Sequence, residues 1–511
     1  MRGQSATKGK GFHPGGASRG RPDERVACQP MGAPDVIQSQ GHPVITIMSS
    51  RQAFRASNRF GLGPRPDELR RIGADPRGWL HQQLSPGPRS QPWLSNVAPS
   101  HETLAGLLQK FYRIRSLEKT QKRGGNRQTA LADMRRELKK SLTRTRLQQL
   151  GARMQVGIET EAPFRERLVH FWSNHFTVST AGGKRLIVTS CTAYEAETVR
   201  KHLDGHFADM LIAVEKHPVM LAYLDNLQSL GPNSRAGRRR SKRGLNENLA
   251  REMLELHTLG VDGGYGQDDV TSLARIITGW TIANDRQIPG EPGRFVFMNA
   301  MHEPGTHRLL GKDHGEDGVH QGERALESLA AHPSTSRFIA TKLVRHFVAD
   351  DPPAAAVENV AKVFRDTDGH LPSVHGSLVD LDECWRPQRA KLKTPNELVV
   401  SALRGLDFPR LPEKRLLGSL ELLNQYPFTA PSPAGWPDSS EHWGSPNALL
   451  QRIDWSTQVG ERVGSARQPR TLLAHMSNPM DDGALRLSVE RAASASQAIA
   501  LLLAGPGFQW R

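Results

Sequence analysis

Apolar side chains recur every three or four residues along most of this 511-residue chain, and that spacing places them on one face of an α-helix. The pattern breaks at stretches rich in proline, glycine and serine, which are typical of loops. We therefore expect an all-α protein in which residues 52–511 form a single large helical domain. The predicted helices cover residues 101–117, 128–157, 160–177, 187–214, 246–259, 267–281, 319–331, 335–349, 353–366, 388–406, 412–425, 446–461 and 485–504.

One short stretch has the alternation of a β-strand instead. It is Arg294–Met298, and His307–Leu310 follows it after a turn at 303–305 that contains proline and glycine. The spacing predicts that the two stretches pair as a small two-stranded β-hairpin near 294–310. This hairpin would be the one exception to an otherwise helical domain.

The positive charge of the chain is concentrated in two segments. The formal net charge is +16. Residues 110–150 hold 13 Lys and Arg against 3 Asp and Glu, and residues 235–243 hold six Lys and Arg and no acid. These segments account for the whole excess, so a surface for an anionic partner is expected to be local. Nucleic-acid binding through the basic segments is not favoured, because Phe111 and Tyr112 are the only aromatic residues among the first set and a DNA-reading motif is not recognisable.

The N-terminal residues have the composition of a tail. They are rich in Gly, Ser, Pro and Arg, and their apolar run at 43–48 is too short for the core of a secretion signal. Residues 1–47 are therefore expected to be disordered or to precede a true start at Met48. Because a signal peptide is not visible and no run approaches the roughly 18 apolar residues of a membrane helix, a cytoplasmic location is favoured. The cysteines are too widely spaced for a metal or redox motif, and they are Cys28, Cys191 and Cys384.

Two predicted helices each carry a histidine on their apolar face. His175 lies on the apolar side of the helix over 164–176, and His257 lies on the apolar side of the helix over 246–259. One interpretation is that both imidazoles are core groups bonded to backbone carbonyls, as buried polar groups usually are. The other is that they face each other and form a site.

The second interpretation would make the protein a metal-assisted hydrolase. His175 and His257 would join Glu252 or Asp225 to hold a metal ion or a catalytic proton. The sequence does not identify the metal, because an H-E-x-x-H motif is not present.

A polar stripe runs along the opposite side of the first histidine helix. Glu166, His170 and Asn174 recur at intervals of four residues. Such a set could perform acid–base chemistry, but a solvated face with i,i+4 pairs is the favoured interpretation.

An arginine-rich loop precedes the second histidine helix. Arg235, Arg238, Arg239 and Arg240 lie shortly before a predicted helix start at Asn246. Guanidinium groups near free helix N–H groups are typical of an anion-binding site. A solvated loop without a ligand explains the pattern equally well.

A glycine-rich loop follows that helix, at residues 262–269. It lacks the oxygen ligands of a calcium loop, since Gly264, Gly266 and Leu273 occupy ligand positions. We expect Gly260 to end one helix, and the next helix to begin at Gly266 or Gln267.

Several long strings in this chain form an ordered set. They are FGLGPRPDEL (60–69), PFRERLVHFWSNHFTVS (163–179), HPVMLAYLDNLQSLGPNS (217–234), residues 245–280, FIATKLVRHFV (338–348), SPAGWPD (432–438) and the C-terminal LLLAGPGFQWR. On these strings the chain resembles the bacterial family called domain of unknown function 1800. The resemblance implies a mainly helical protein, export and a sulfatase-like partner protein, but this chain lacks an export signal and no catalytic residues can be carried over.

The first functional hypothesis is therefore a non-enzymatic binding or assembly protein with an anionic partner, such as an anionic polymer. The metal-assisted hydrolase and the nucleic-acid-binding protein are its alternatives. A cofactor is not indicated by the sequence.

Overall fold

Helices make up most of the chain, which confirms the predicted fold class. The computed structural model describes residues 51–87, 91–121, 128–239, 244–284, 286–387, 390–408, 410–477 and 483–511. The predicted tail at 1–47 lies outside these residues. The α-helices are Glu68–Ile72, Pro76–Gln82, Ser100–Gln121, Gln128–Glu159, Pro163–His175, Cys191–Glu195, Phe207–Glu215, Pro218–Tyr223, Asn248–Glu252, Gln267–Ile276, Val319–Ala330, Pro333–Phe347, Ala354–Asp366, Leu371–Asp380, Pro395–Gly405, Glu413–Leu422, Ser440–Trp443, Pro446–Val463, Pro469–Met476, Gly483–Glu490, Ala495–Ala504 and Pro506–Gln509.

In the described ranges, wider π-helical turns interrupt the regular α-helical repeat at Ala56–Phe60, Ala196–Arg200 and Met253–Thr258. The last of these continues the helix Asn248–Glu252, and its wider turn is visible in the bond from Leu259 N to Leu254 O at 2.9 Å. An α-helical wheel over 246–259 therefore only approximates the faces of this segment.

The strands form two separate antiparallel pairs. Trp280–Ile282 (β1) pairs with Phe295–Phe297 (β2), and His307–Leu309 (β3) pairs with Lys312–His314 (β4). The strand predicted at 294–298 is thus confirmed, but its predicted pairing with 307–310 is wrong.

The turn between β3 and β4 explains the error. Leu310 and Gly311 both have positive φ, of 49° and 78°, as a two-residue type I′ hairpin turn requires. This tight turn joins His307–Leu309 to the strand that follows it. The Leu-Gly sequence lacks the Asn-Gly or Asp-Gly signal by which such turns are usually recognised.

Several predicted helices are shorter than the apolar repeat suggests or are divided. The helix expected over 388–406 begins only at Pro395, and the one expected over 485–504 is divided into Gly483–Glu490 and Ala495–Ala504. The helix expected over 187–214 ends before Gly205 and a new helix begins at Phe207. The helix expected over 267–281 ends at Ile276 because Gly279 adopts a φ of 85° and Trp280 enters β1. Glycine tolerates this left-handed conformation, which terminates helices.

The helices pack around two hydrophobic cores within one compact unit. The helix Pro163–His175 contributes Phe171 and Trp172 to the first core, and the helix Pro395–Gly405 contributes Leu398 to the second. Phe428 packs against both cores. The loop that carries Phe428 therefore lies where the cores meet, and the candidate site lies beside it.

Among the residues described, we find no helix that combines the length and the apolar character needed to span a bilayer.

Candidate functional site

A cavity of about 250 Å³ lies between the helix Pro163–His175, the helix Pro333–Phe347 and the loop at residues 425–438. Its wall is unusually rich in ionisable groups for a site between two hydrophobic cores. The charged residues of the wall are Arg153, Arg167, Lys342, Arg345, Glu397 and Asp438, and the imidazoles are His170, His175 and His346.

The loop is attached to the first helix by a reciprocal pair of hydrogen bonds. Asn174 Nδ2 donates to the carbonyl oxygen of Trp436 at 2.9 Å, and the Trp436 N–H donates to Asn174 Oδ1 at 2.8 Å. Gly435 has a φ of +86°, and a Cβ atom there would lie 2.4 Å from the carbonyl oxygen of Asn174. Glycine is thus required both by the backbone conformation and by the close approach of the helix.

Lys342 projects into this cavity beside His175. Its Nζ donates to His175 Nδ1 at 2.9 Å and lies 5.4 Å from the centroid of the Phe338 ring. Burial, reinforced by the charge of Arg345, lowers the pKa of Lys342 to about 8, although Asp438 acts in the opposite direction. An ordinary lysine has a pKa near 10.4, so this amine loses its proton far more readily.

Arg345 lies one helical turn beyond Lys342 on the same face. Its Nε donates to the backbone oxygen of Asp350 at 3.2 Å. Within the described residues, neither Lys342 nor Arg345 has a carboxylate at ion-pair distance. The cavity wall therefore carries two cations, Lys342 and Arg345, for which the described part of the chain supplies no direct counter-ion.

The remaining charges of the wall are paired within the protein. His346 Nδ1 lies 2.7 Å from Asp438 Oδ2, and Arg167 Nε donates to His346 Nε2 at 3.3 Å. Glu397 forms ion pairs with Arg167 and with Arg511. Burial opposes ionisation of Asp438, but His346 and then Lys391 outweigh it and hold the pKa of Asp438 below its usual range.

The two histidines singled out in the sequence do lie close together. Their ring centroids are 6.3 Å apart, and His175 Nε2 lies 3.1 Å from the backbone oxygen of His257. Because a carbonyl oxygen accepts, Nε2 carries the proton and Nδ1 is left as an acceptor. His257 Nδ1 lies instead 2.6 Å from Glu215 Oε1. His175 thus has the backbone-carbonyl bond of the core interpretation at Nε2 but contacts Lys342 at Nδ1, whereas His257 contacts a carboxylate.

The two carboxylates proposed to join these histidines differ in their surroundings. Asp225 forms an ion pair with Lys184 at 2.8 Å. Glu252 is half-buried, and burial raises its pKa although the charge of the nearby His257 acts in the opposite direction. The carboxylate that contacts His257 is Glu215, which is fully buried. Across the described ranges, no group of three or more His, Cys, Asp or Glu residues is arranged to hold a metal ion.

The stripe of Glu166, His170 and Asn174 is not solvated, so that part of the expectation is wrong, although the i,i+4 pair of Glu166 and His170 is present at 3.3 Å. Glu166 is 2% exposed, and both of its oxygens accept from Arg200 at 2.6 Å. His170 and Asn174 line the cavity. The error arises because the helix Pro163–His175 is covered on both sides, so a polar stripe opposite the apolar face meets other charged groups instead of water.

The arginine loop is exposed where it is described. Arg235, Arg238 and Arg239 all face solvent, and Arg240 lies outside the described residues. Asn246 uses its side chain locally, because its Oδ1 accepts from the Asn248 N–H at 2.9 Å. The helix begins at Asn248 and not at Asn246. An anion site here remains a prediction, and Asn246 already has protein partners.

The glycine-rich loop at 262–269 caps helices, as expected. Gly260 has a φ of 84°, and the next helix begins at Gln267. Asp269 accepts from the Gly266 N–H at 2.9 Å and from the Leu310 N–H at 2.7 Å. This carboxylate therefore joins the helix start to the β3–β4 turn.

Four residues of the cavity wall are not predicted as site residues by any sequence motif, namely Lys342, Arg345, His346 and Asp438. Each of them lies in a string that carried the family resemblance, namely residues 338–348 and 432–438. A charged residue in an amphipathic helix is ordinarily solvated, so the residue type alone does not indicate that these side chains line a cavity. Their grouping depends on tertiary packing, since the helix and the loop are some 90 residues apart in the chain.

Fold and site together define a helical protein with a preformed, positively charged cavity between two cores. The family model described as "Protein of unknown function (DUF1800)" matches residues 55–510. The chain therefore belongs to that family. No curated protein and no solved structure matches it significantly.

Proposed function

We propose that the protein binds an anionic group, either a small anion or the acidic end of a larger partner, in the cavity between the helices Pro163–His175 and Pro333–Phe347. The observation that carries the proposal is the pair of cations, Lys342 and Arg345, that line this cavity without a carboxylate partner among the described residues. An anion placed between them would supply the missing counter-charge.

The surroundings strengthen this attraction. The cavity wall holds four Lys or Arg residues and two carboxylates, and both carboxylates, Glu397 and Asp438, already have cationic or imidazole partners. Electrostatic attraction is stronger in a partly buried site than in water. The loop that closes the cavity is fixed by the bonds between Asn174 and Trp436, so little ordering is needed on binding.

Thermal unfolding in the presence of different anions tests this function. The full chain is titrated with sulfate, phosphate and acetate against chloride at constant ionic strength, because general screening acts on every surface charge. A ligand of the folded state at about 100 times its Kd stabilises by about 2.7 kcal/mol, so we expect at least one anion to raise the Tm measurably.

The variant Lys342→Gln, alone and with Arg345→Gln, should lose this rise. Arg337→Gln is the matched control, because Arg337 is exposed on the same helix and is not part of the cavity wall. Equal anion responses in the wild type, the double variant and Arg337→Gln would contradict the proposal.

A second candidate function is the binding of nucleic-acid phosphates in a shallow groove. The groove lies between the middle of the helix Gln128–Glu159 and residues 412–414. A specific observation favours it: five cations line this groove of about 650 Å³, and its one carboxylate, Glu413, pairs with Arg410 at 3.1 Å. Multiple Lys and Arg contacts to phosphates are the main source of non-specific nucleic-acid affinity. The cations are Arg136, Lys139, Lys140, Arg144 and Lys414.

A further inference from the structure

We propose that Lys342 captures a small anionic carbonyl compound, such as a 2-oxo acid, by forming an imine inside the cavity. The inference rests on the proposed function, because the anionic end of the compound would be held by Arg345. It goes further in naming the chemical class of the ligand and the atom to which it becomes attached.

The position of the amine carries the inference. Lys342 Nζ lies in the cavity wall and donates one hydrogen bond to His175 Nδ1 at 2.9 Å. His175 Nε2 carries its proton towards the backbone oxygen of His257 at 3.1 Å, which leaves Nδ1 as an acceptor. This neutral acceptor orients the amine and, unlike a carboxylate, adds no negative charge that would hold it in the ammonium form.

The state of His175 supports this arrangement. Burial, together with the charges of Lys342 and His257, keeps the pKa of His175 well below its usual range. His175 therefore stays neutral beside Lys342. With the pKa of Lys342 lowered to about 8 by burial, roughly a fifth of the amine is unprotonated at pH 7.4, against about one part in a thousand for an ordinary lysine.

A second buried lysine, Lys393, shows that a lowered pKa alone does not make an amine accessible to a ligand. Burial also lowers the pKa of Lys393 well below its usual range. Its Nζ, however, donates to Ser401 Oγ at 3.2 Å and lies 4.1 Å from the centroid of the Phe508 ring, and Lys393 is not part of the cavity wall. Lys342 thus combines a readily deprotonated amine with space for a ligand and an unpaired cation nearby.

The reaction balances without an oxidant or a second reactant. The nitrogen lone pair of neutral Lys342 attacks the carbonyl carbon, a C–N bond forms, and the carbonyl oxygen takes up a proton. The resulting carbinolamine loses water, which carries away the carbonyl oxygen and the two amine hydrogens. The product is a C=N bond between Nζ and the former carbonyl carbon, and the anionic group stays unchanged beside Arg345.

Reductive trapping of the full chain tests the inference. The protein is incubated with glyoxylate and cyanoborohydride at pH 7.4, which reduces an imine to a stable secondary amine, and the modified lysines are identified by peptide mass spectrometry. We expect labelling of Lys342 to exceed that of the exposed Lys362 by about tenfold or more, from the larger free-amine fraction. Lys393 should stay unlabelled.

Two further measurements make the result specific. Arg345→Gln should lower labelling by glyoxylate clearly more than labelling by acetaldehyde, which lacks the anionic group. A small fall with acetaldehyde is expected, because loss of the Arg345 charge raises the pKa of Lys342. Added sulfate should compete with glyoxylate at Lys342 alone. Labelling of Lys342 no greater than that of Lys362 in the wild-type digest overturns the inference, whether or not any variant folds. If the Tm still rises with anions in that case, the anion site stands and the imine fails; if the Tm rise is also absent, both fail.

Discussion

Asn174 and Trp436 are 262 residues apart in the chain, yet each donates a hydrogen bond to the other, at 2.9 and 2.8 Å. The contact joins the end of a core helix to a loop rich in proline and tryptophan, and so closes one side of the charged cavity. An amide side chain suits this role because it offers both a donor and an acceptor. This exchange helps to hold the loop in place, together with the bond from Ser179 Oγ to the Ala430 backbone oxygen and the contact of Asp438 with His346.

Gly435 lies next to this contact, so a substitution there tests whether the loop must pack closely against the helix Pro163–His175. We expect Gly435→Ala to lower the free energy of unfolding by about 1–3 kcal/mol, because a Cβ atom would lie 2.4 Å from the Asn174 carbonyl oxygen at a φ of +86°. Urea unfolding measures the loss. The control is Gly305→Ala, which has a φ of +100° but no atom within 4 Å. Equal losses in both variants would mean that backbone strain alone matters and that the loop tolerates displacement.

Substitutions in the buried pair of Glu215 and His257 can distinguish the contribution of the carboxylate charge to stability from that of the hydrogen bond. Their contact is 2.6 Å, and both side chains are almost completely inaccessible. Removing one partner of a buried pair typically costs about 3–5 kcal/mol, so Glu215→Ala should be strongly destabilising in urea. Glu215→Gln keeps an oxygen acceptor for His257 Nδ1 and should lose clearly less. If both variants unfold at the wild-type urea concentration, the pair does not stabilise the core.

The ion pair of Glu166 with Arg200 predicts how stability depends on pH. Burial opposes ionisation of Glu166, but Arg200 outweighs it and holds the pKa of Glu166 below its usual range. A carboxylate whose pKa is lower in the folded state contributes stability above its unfolded pKa of about 4.3, and this contribution is lost as the pH falls below that value. Folding stability should therefore decrease from about pH 5 downwards.

Urea unfolding at a series of pH values from 7 to 3 measures this decrease. Glu166→Gln should be less stable at pH 7 and should show a flatter acid limb than the wild type. Glu137→Gln, an exposed substitution on the helix Gln128–Glu159, should keep the wild-type slope. An unchanged slope in Glu166→Gln would assign the acid sensitivity to other carboxylates.

Much of the fold could be predicted from the sequence, because helix formation depends on local spacing. The helix Pro163–His175 follows from a proline at its first position and an apolar stripe that includes Phe171, and the burial of His175 follows from the same stripe. The β3–β4 hairpin was missed because Leu310 adopts a positive φ, which the residue type does not suggest.

The sequence predicts which residues of the site are buried histidines but not which residues contact them. A helical wheel identifies which residues share a face but not what covers that face, so it predicts that Glu166 faces solvent, although Arg200 covers it. Glu215 was likewise missed as the partner of His257, and Lys342 as the partner of His175, because these contacts span 42 and 167 residues. Such pairings depend on long-range packing, which a single sequence does not encode in any local pattern.

The groove along the helix Gln128–Glu159 yields the last prediction, which concerns nucleic acid. If the groove binds phosphates, Lys139→Gln combined with Lys140→Gln and Arg144→Gln should weaken binding of a single-stranded oligonucleotide, measured by fluorescence anisotropy. The slope of log affinity against log salt should also fall, by about 0.7 for each phosphate that the variant no longer neutralises. A matched triple substitution at Lys110, Arg113 and Arg115 removes the same charge from exposed positions of the helix Ser100–Gln121 and should leave the slope unchanged. Equal effects of the two triple variants would show that net charge, and not the groove, attracts the oligonucleotide.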